Sequence, residues 1–288
     1  MSIAILQDFL YIALELTLLF LAISFIINFL EGYIPYTKME SLLTKHHPLF
    51  AALVAVAFAF VTPFCSCSTI PVVVSLLNQK IRFGIVMIFL FASPVLDPTI
   101  LTLMAATLGV KVAISYTIFT TILSILIGFT LEKLGFENQV KQVIVNGEVE
   151  ILKKRNIKEA LKETLHLMKT VYPYLLLGAG IGAIIHGAVP TEWISTYMGG
   201  DKWWLVPLAA IIGIPLYIRL SSMIPISQML IAKGMALGPV MALMISSAGA
   251  SLPEITLLHS IFKKKLVFAF VSSVMTMATL SGFLFYII

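Results

Sequence analysis

Charge is what this sequence has least of. Asp, Glu, Lys and Arg make up 11% of its 288 residues, and 59% of the residues are hydrophobic. An average soluble domain has about 25% charged residues. The low charge excludes a water-soluble globule, a disordered chain and a nucleic-acid-binding surface. The net charge of +5 is spread over short loops, which is typical of the topology signals in membrane proteins.

Cysteine is also scarce, and two functional motifs are missing from the sequence. Cys65 and Cys67 are the two cysteines, too few and too close together for a disulfide framework. The sequence has no Gly-x-x-x-x-Gly-Lys phosphate loop, which excludes ATP hydrolysis by the P-loop route. It also lacks the regular arginine ladder of a voltage sensor. We expect no enzymatic activity, no cofactor and no resident metal.

Long apolar stretches dominate what is present. They fall near residues 9–30, 49–79, 83–110, 112–131, 171–189, 203–232, 237–262 and 266–288. Because these stretches are continuous rather than alternating, they indicate helices. The first stretch is too long for a signal-peptide core and is interpreted as a retained span. The sequence therefore predicts an all-α, polytopic helical membrane protein in contact with a lipid bilayer.

A hydrophilic segment divides the chain into two similar halves. Residues 1–131 and 171–288 are predicted to be two transmembrane repeats, and residues 132–170 a cytoplasmic linker with an amphipathic helix. At an offset of 154 residues the halves pair Ser68 with Ser222, Pro71 with Pro225, Gly84 with Gly238, Ser93 with Ser247, and Lys111 with Lys265. Repeats of this kind build many secondary transporters.

Each half contains one apolar stretch interrupted by a proline-flanked block, at residues 63–71 and 215–225. The pieces on either side are shorter than the roughly 20 residues of a full span. Each block is therefore the tip of a re-entrant hairpin or the break in one spanning helix. The positive-inside rule favours hairpins, because Lys111, Lys202 and Lys233 are then the only basic residues outside, apart from a buried Arg219.

The predicted fold therefore has two inverted repeats, each with three crossing helices and one re-entrant hairpin. The alternative has eight spanning helices, two of them broken. Broken backbone at membrane depth is tolerated where it is buried in protein or lines a wet cavity. The two interruptions therefore indicate the substrate site.

The candidate substrate-binding residues lie in these two blocks: Cys65, Ser66, Cys67, Ser68 and Thr69 in the first, and Arg219, Ser221 and Ser222 in the second. Two thiolates suit a soft, thiophilic centre. A guanidinium within a membrane is costly unless it binds an anion or pairs with an acid. The structural alternatives also stay open: the cysteines could fill tight gaps in the core, and the hydroxyls could cap broken helices.

Two carboxyl groups stand beside prolines in matching apolar stretches. Asp97 precedes Pro98, and Glu254 follows Pro253. Acidic side chains at such depth are candidates for proton coupling or for ion pairing with Arg219. The alternative is a protonated carboxyl that is hydrogen-bonded at a helix kink.

The stretch 62–71, Thr-Pro-Phe-Cys-Ser-Cys-Ser-Thr-Ile-Pro, resembles the signature of a family of predicted bacterial permeases. That family includes YraQ-type proteins and organoarsenical efflux permeases. Residues 213–217 and 248–254 resemble its second half. The resemblance implies a multi-pass permease of the bacterial cytoplasmic membrane with the cysteine block as its functional centre. Arg219 replaces the small or thiol residue expected of the arsenical exporters, so the chain is more similar to the YraQ type.

Together these observations predict a secondary transporter of a small thiophilic or anionic solute, coupled to protons through Asp97 and Glu254. Three alternatives stay open: a membrane thiol-redox protein, a soft-metal or organoarsenical exporter, and a scaffold subunit of a larger complex. Assembly as a homo-oligomer or with a partner membrane subunit also stays open.

Overall fold

The computed structural model describes residues 47–61, 66–79, 81–141, 203–215 and 234–286, with isolated helical positions elsewhere. These ranges form nine α-helices and no β-strand, which confirms the all-helical prediction for this part of the chain. The helices are α1 Pro48–Val61, α2 Ser66–Asn78, α3 Phe83–Ala92, α4 Pro98–Thr107, α5 Val110–Lys133, α6 Leu205–Gly213, α7 Leu237–Gly249, α8 Leu252–Ile261 and α9 Lys264–Leu284.

Two helices, α5 and α9, are each long and apolar enough to cross a membrane. With 24 and 21 residues, they extend about 36 and about 32 Å at 1.5 Å per residue. Both exceed a hydrocarbon core of about 30 Å. One face of α5 exposes an apolar side chain every four residues: Val110, Ile114, Ile118, Ile122 and Leu126. This stripe suits contact with lipid.

The neighbouring apolar stretches are interrupted, although the sequence suggested one crossing segment for each. Helices α3 and α4 are separated by residues 93–97, which we call the first break. Helices α7 and α8 are separated by Ala250 and Ser251, the second break, and are bent by 42°. Prolines explain both interruptions, because Pro94, Pro98 and Pro253 cannot donate a helical N–H bond.

The described helix boundaries repeat at the offset seen in the sequence. Helices α3, α4 and α5 begin at residues 83, 98 and 110, whereas α7, α8 and α9 begin at 237, 252 and 264. Each difference is 154 residues. The repeat therefore extends from residue types to the positions at which helices start.

The two halves also share one mode of helix packing. A Cβ atom added to Gly128 of α5 would lie 2.8 Å from the carbonyl oxygen of Gly84 in α3. A Cβ atom added to Gly282 of α9 would lie 2.9 Å from the carbonyl oxygen of Gly238 in α7. The glycines therefore let the backbones of each helix pair approach closely, as small residues do in membrane helix packing.

One end of the molecule, which we call the linker face, joins the two halves through hydrogen bonds. The backbone N–H of Lys141 donates to Ile261 O at 3.0 Å, and that of Lys263 donates to Gln139 O at 2.8 Å. Val140 and Phe262 form the isolated β-bridge between these segments. The C-terminal end of α5 and the N-terminal end of α9 therefore lie at the same face.

The opposite end, which we call the far face, contains the start of α7 and the end of α9. Gly238 lies against Gly282 and the ring of Tyr286. Because α9 runs the length of the molecule, its end at Leu284 is remote from its start at the linker face. Helix α5 also runs the length of the molecule and ends at the linker face, so it begins at the far face.

Candidate functional site

Part of the predicted cysteine block lies at the start of α2. Cys65 lies outside the described residues, and α2 begins at Ser66. Ser66, Cys67 and Ser68 therefore occupy the first turn of α2, with side chains outside the described part. Thr69, the next residue, is fully buried.

The second predicted block, with Arg219, Ser221 and Ser222, lies outside the described residues. The chain that leads into it is described. The end of α6 packs tightly on α7, since a Cβ atom on Gly213 would overlap Ser246 Oγ and lie 2.9 Å from Leu243 O. Ser246 is one helical turn before the second break. The described chain therefore ends, just before the second block, beside that break.

The first break lies close to the start of the second. A Cβ atom on Gly249, the last residue of α7, would lie 3.8 Å from Val95 Cγ2 in the first break. Val95 and Gly249 are also separated by 154 residues, so they hold equivalent positions in the two halves. This closeness therefore places the two interruptions of the apolar helices near each other in the protein.

Helices α2 and α8 pack together. Leu77, near the end of α2, and Ile81, just after it, line a cleft with Val140. Val140 in turn forms a β-bridge with Phe262, the residue directly after α8. Because both helices end at the linker face, both begin deeper in the protein. The first turn of α2, which contains Cys67, and the start of α8 therefore lie on the same inner level.

The two predicted carboxyl groups also lie at helix starts. Asp97 is half-buried, directly before the first residue of α4. Glu254 is fully buried in the first turn of α8. Free N–H groups and the helix dipole favour negative charge at these positions. Each break therefore has one acidic side chain at the helix start that follows it.

A buried hydroxyl in the first break has no partner among the described residues. Ser93 is fully buried, and its Oγ makes no hydrogen bond there. Its repeat equivalent, Ser247, donates to Met244 O at 3.1 Å. A buried polar group without a partner is unusual and indicates a site for water or a ligand. The sequence signal for this position was its pairing with Ser247 at the offset of 154 residues.

Tyr116 is a further polar residue at the first break, and the sequence analysis missed it. Its side chain is fully buried in α5, and its hydroxyl donates to the carbonyl oxygen of Val95 at 3.1 Å. A tyrosine within an apolar stretch gives no sequence signal for this contact. Only the packing of α5 against the first break reveals it.

The linker face contains a separate cleft of about 290 Å³. Arg82 and Glu132 form an ion pair of 3.2 Å across it, and Glu137 also lines it. Among the described residues, no three His, Cys, Asp or Glu side chains converge as a metal site. The polar groups described at the breaks are instead hydroxyls, carboxyls and helix N-termini, which can bind a small polar solute.

Helices long and apolar enough to cross a membrane, together with shorter apolar helices that pack against them, define this chain as a helical membrane protein. The chain belongs to the ArsP_1 family, whose description is "Predicted permease" and whose profile matches residues 3–287.

Two curated relatives are similar at modest identity. UPF0718 protein MJ0584 of Methanocaldococcus jannaschii is 22% identical over 282 aligned residues, covering 76% of this chain and 77% of its own. UPF0718 protein YraQ of Escherichia coli K12 is 24% identical over 217 residues, 74% of this chain. The alignment spans 61% of the YraQ protein, less than two thirds of its length. No solved structure gives a significant match.

Proposed function

We propose that this permease is a secondary transporter that moves a small thiophilic or anionic solute through a site built from the two proline-flanked blocks, residues 63–71 and 215–225, beside the first and second breaks. The observation that supports the proposal is the closeness of Val95, in the first break, to Gly249, the residue directly before the second break. The starts of α2, α4 and α8 present free N–H groups there, a setting that suits an electron-rich solute.

The connections at the linker face support an inverted arrangement of the two repeats. Helix α3 begins at this face, because Arg82 pairs with Glu132 near the end of α5. Its equivalent, α7, begins at the far face, because Gly238 lies against Tyr286. Equivalent helices therefore start at opposite ends, as inverted repeats require. The alternative of eight full spans would instead put Lys263 opposite the linker.

The path around α6 supports a re-entrant hairpin in the second half. Helix α6 starts near the far face, where Val206 contacts Gly282. It runs inward until Gly213 meets Ser246, and the chain returns to the far face before Gly238. A segment that enters and leaves at one face is a hairpin. Its tip would carry Arg219, Ser221 and Ser222 to the level of the breaks.

In this mechanism each group of residues has a chemical role. Cys65 and Cys67 supply thiolates to a soft centre, with Ser66, Ser68 and Thr69 donating hydrogen bonds to its polar atoms. Arg219, Ser221 and Ser222 bind the solute from the opposite hairpin. Asp97 and Glu254 take up and release a proton as the site becomes accessible first from one face of the membrane and then from the other. We further propose that the protein acts in a bacterial cytoplasmic membrane.

Flux through the purified chain in proteoliposomes tests this function. The solutes are arsenite, cadmium, selenite and a small organic thiol, with no redox partner present. We expect at least one to enter, and Cys67→Ser to abolish entry of a thiophilic solute while expression stays intact. Ser75→Ala, which alters the other end of α2, is the matched control and should keep full flux.

The same assay separates the remaining alternatives. Full flux in Cys67→Ser would show that the cysteines are not needed for transport. Absence of flux for every solute would contradict transport and favour the thiol-redox or scaffold alternatives. Entry limited to arsenite or cadmium would narrow the function to a soft-metal or arsenical carrier.

A further inference from the structure

Tyr116 is a buried polar residue to which the proposed mechanism gives no role. Its hydroxyl donates to Val95 O at 3.1 Å, across 21 residues of sequence. Both residues are fully buried. A buried tyrosine normally needs a hydrogen-bond partner, and here that partner is a carbonyl in the first break rather than in a regular helix.

This hydrogen bond satisfies a carbonyl that the break has removed from regular helix bonding. Within a membrane an unsatisfied carbonyl costs several kcal/mol, because no water replaces the lost helical donor. The backbone N–H of Val95 already donates to Ala92 O at 3.1 Å. With Tyr116 on its carbonyl, Val95 is held by hydrogen bonds through both its backbone N–H and its backbone carbonyl.

The position of Val95 makes this restraint relevant to the site. Val95 lies close to Gly249, the residue directly before the second break, and it lies two residues before Asp97. The backbone of Asp97 in turn accepts a bond from Leu101 N at 3.0 Å, in the first turn of α4. Fixing Val95 therefore fixes the acidic side chain and the helix start that follow it.

The second half has a different residue at the equivalent position. Residue 270 lies 154 positions after Tyr116 and is a phenylalanine, which has no hydroxyl. Phe270 is fully buried and stacks on Phe91 with ring centroids 4.7 Å apart. Ser251, which precedes α8 in the second break, makes no side-chain capping bond. The second break has backbone bonds along the chain, from Ala250 N to Ser246 O at 3.1 Å and from Ile255 N to Ser251 O at 2.9 Å, whereas the first break also accepts a bond from α5.

We propose that Tyr116 is a positioning residue that holds the first break in a fixed shape, through a bond from a neighbouring helix for which residue 270 offers no equivalent at the second break. The role of this asymmetry in solute binding rests on the proposed function. The restraint of the first break by the Tyr116 hydroxyl is independent of that function, because it can be measured without any solute.

Hydrogen exchange of backbone amides in the full chain tests the restraint. In the wild type, amides 99–103 of α4 should exchange more slowly than amides 255–259 of α8. Tyr116→Phe should raise exchange at 99–103 about tenfold, since it removes one bond and leaves a buried carbonyl unsatisfied. Phenylalanine fits an aromatic site of this kind, as the buried Phe270 shows in the other half.

Thr120→Val is the matched control. Thr120 is a buried hydroxyl one turn further along α5, and it donates to Tyr116 O at 2.7 Å within its own helix. Its loss should leave exchange at 99–103 unchanged after correction for global stability. Unchanged exchange in Tyr116→Phe, or an equal rise in Thr120→Val, would overturn the proposal.

Arsenite uptake into proteoliposomes provides a second readout that a purely structural hydroxyl would not alter. Tyr116→Phe should raise the KM for arsenite about fivefold, the value of one net hydrogen bond, and Thr120→Val should leave KM unchanged. Raised exchange with an unchanged KM would overturn the positioning role. Absence of arsenite uptake in the wild type would contradict the thiophilic proposal alone, and the exchange comparison would then decide this inference.

Discussion

Ser93 and Ser247 occupy equivalent positions of the two halves but differ in their bonding. Ser247 donates to its own helix at Met244 O, whereas Ser93 Oγ has no partner among the described residues. Ser93 lies two residues before Val95, which lies close to the start of the second break. We interpret its hydroxyl as reserved for the solute or for a water that the solute replaces.

Replacing Ser93 by alanine should weaken solute binding without weakening the fold. We expect Ser93→Ala to raise the KM of uptake about fivefold, the loss of one hydrogen bond, with the melting temperature nearly unchanged. Ser247→Ala is the repeat-matched control and should leave KM at the wild-type value. Equal KM values for wild type and Ser93→Ala would show that this hydroxyl has no contact with the solute.

Glu254 tests proton coupling, because it is fully buried at the start of α8. A pH difference of one unit stores about 1.4 kcal/mol per proton, enough for about tenfold accumulation of a solute carried with one proton. Glu254→Gln keeps the shape but cannot titrate, so it should allow only downhill flux. Glu137→Gln, at an exposed acid of the linker face, should still accumulate solute. If the Glu254→Gln variant still accumulated solute against its gradient, proton coupling would depend on a residue other than Glu254.

At the level of single residues, the sequence identified candidates but not their neighbours. The prolines beside Asp97 and Glu254 were noted, but both acids were placed within continuous apolar segments, and a helix kink was only the alternative. The contact of Tyr116 with Val95 and the closeness of Val95 to Gly249 could not be predicted, because each depends on how distant helices pack. The roles of the cysteines and of Arg219 stay predictions.

Helix pairs in both halves depend on a glycine at their closest approach. A Cβ atom on Gly128 would lie 2.8 Å from the backbone oxygen of Gly84, and its equivalent on Gly282 would lie 2.9 Å from that of Gly238. Backbone cannot move aside as a flexible side chain can. Alanine is normally favoured over glycine within a helix by about 1 kcal/mol, but here the overlap reverses that preference.

Gly128→Ala and Gly282→Ala should therefore each lower the free energy of unfolding by about 1–3 kcal/mol, the usual effect of overpacking. Reversible unfolding in detergent micelles measures the change. Ile122→Ala, on the half-exposed lipid-facing stripe of α5, is the control and should have a smaller effect. Stabilisation by either glycine substitution would show that these helices are not in close backbone contact.

The sequence was informative about which segments are apolar but less so about which segments are continuous. It predicted residues 83–110 and 237–262 as single crossing segments, whereas each consists of two shorter helices. Hydropathy does not register an interruption, because the residues of a break can be as apolar as the helix around it. The pairing of residues 139–141 with 261–263 was likewise not predictable, since the two segments are remote in sequence.

Across the whole molecule, the ends of the helices separate into two faces. Lys263 and the start of the linker lie together at one face, and the start of α7 lies with the end of α9 at the other. This separation supports the inverted arrangement, because helices related by the repeat begin at opposite faces. A parallel repeat would place them at the same face.

Lys111 and Lys265 are repeat equivalents, and both are exposed at helix starts. If the repeats are inverted, cysteines placed at these positions should react with a membrane-impermeant maleimide from opposite sides. Intact and opened vesicles separate the two sides, and the wild-type chain gives the background from Cys65 and Cys67. Labelling of Lys111→Cys and Lys265→Cys from the same side would contradict inversion.

Cross-linking between the starts of α2 and α8 tests the shared inner site most directly. In Ser251→Cys the new thiol precedes α8, and a short bifunctional maleimide should join it to native Cys67 in the first turn of α2. Ser260→Cys, near the other end of the same helix and also buried, is the control and should give no such product. Absence of the Ser251→Cys cross-link, or an equal yield from Ser260→Cys, would contradict a common site at the breaks.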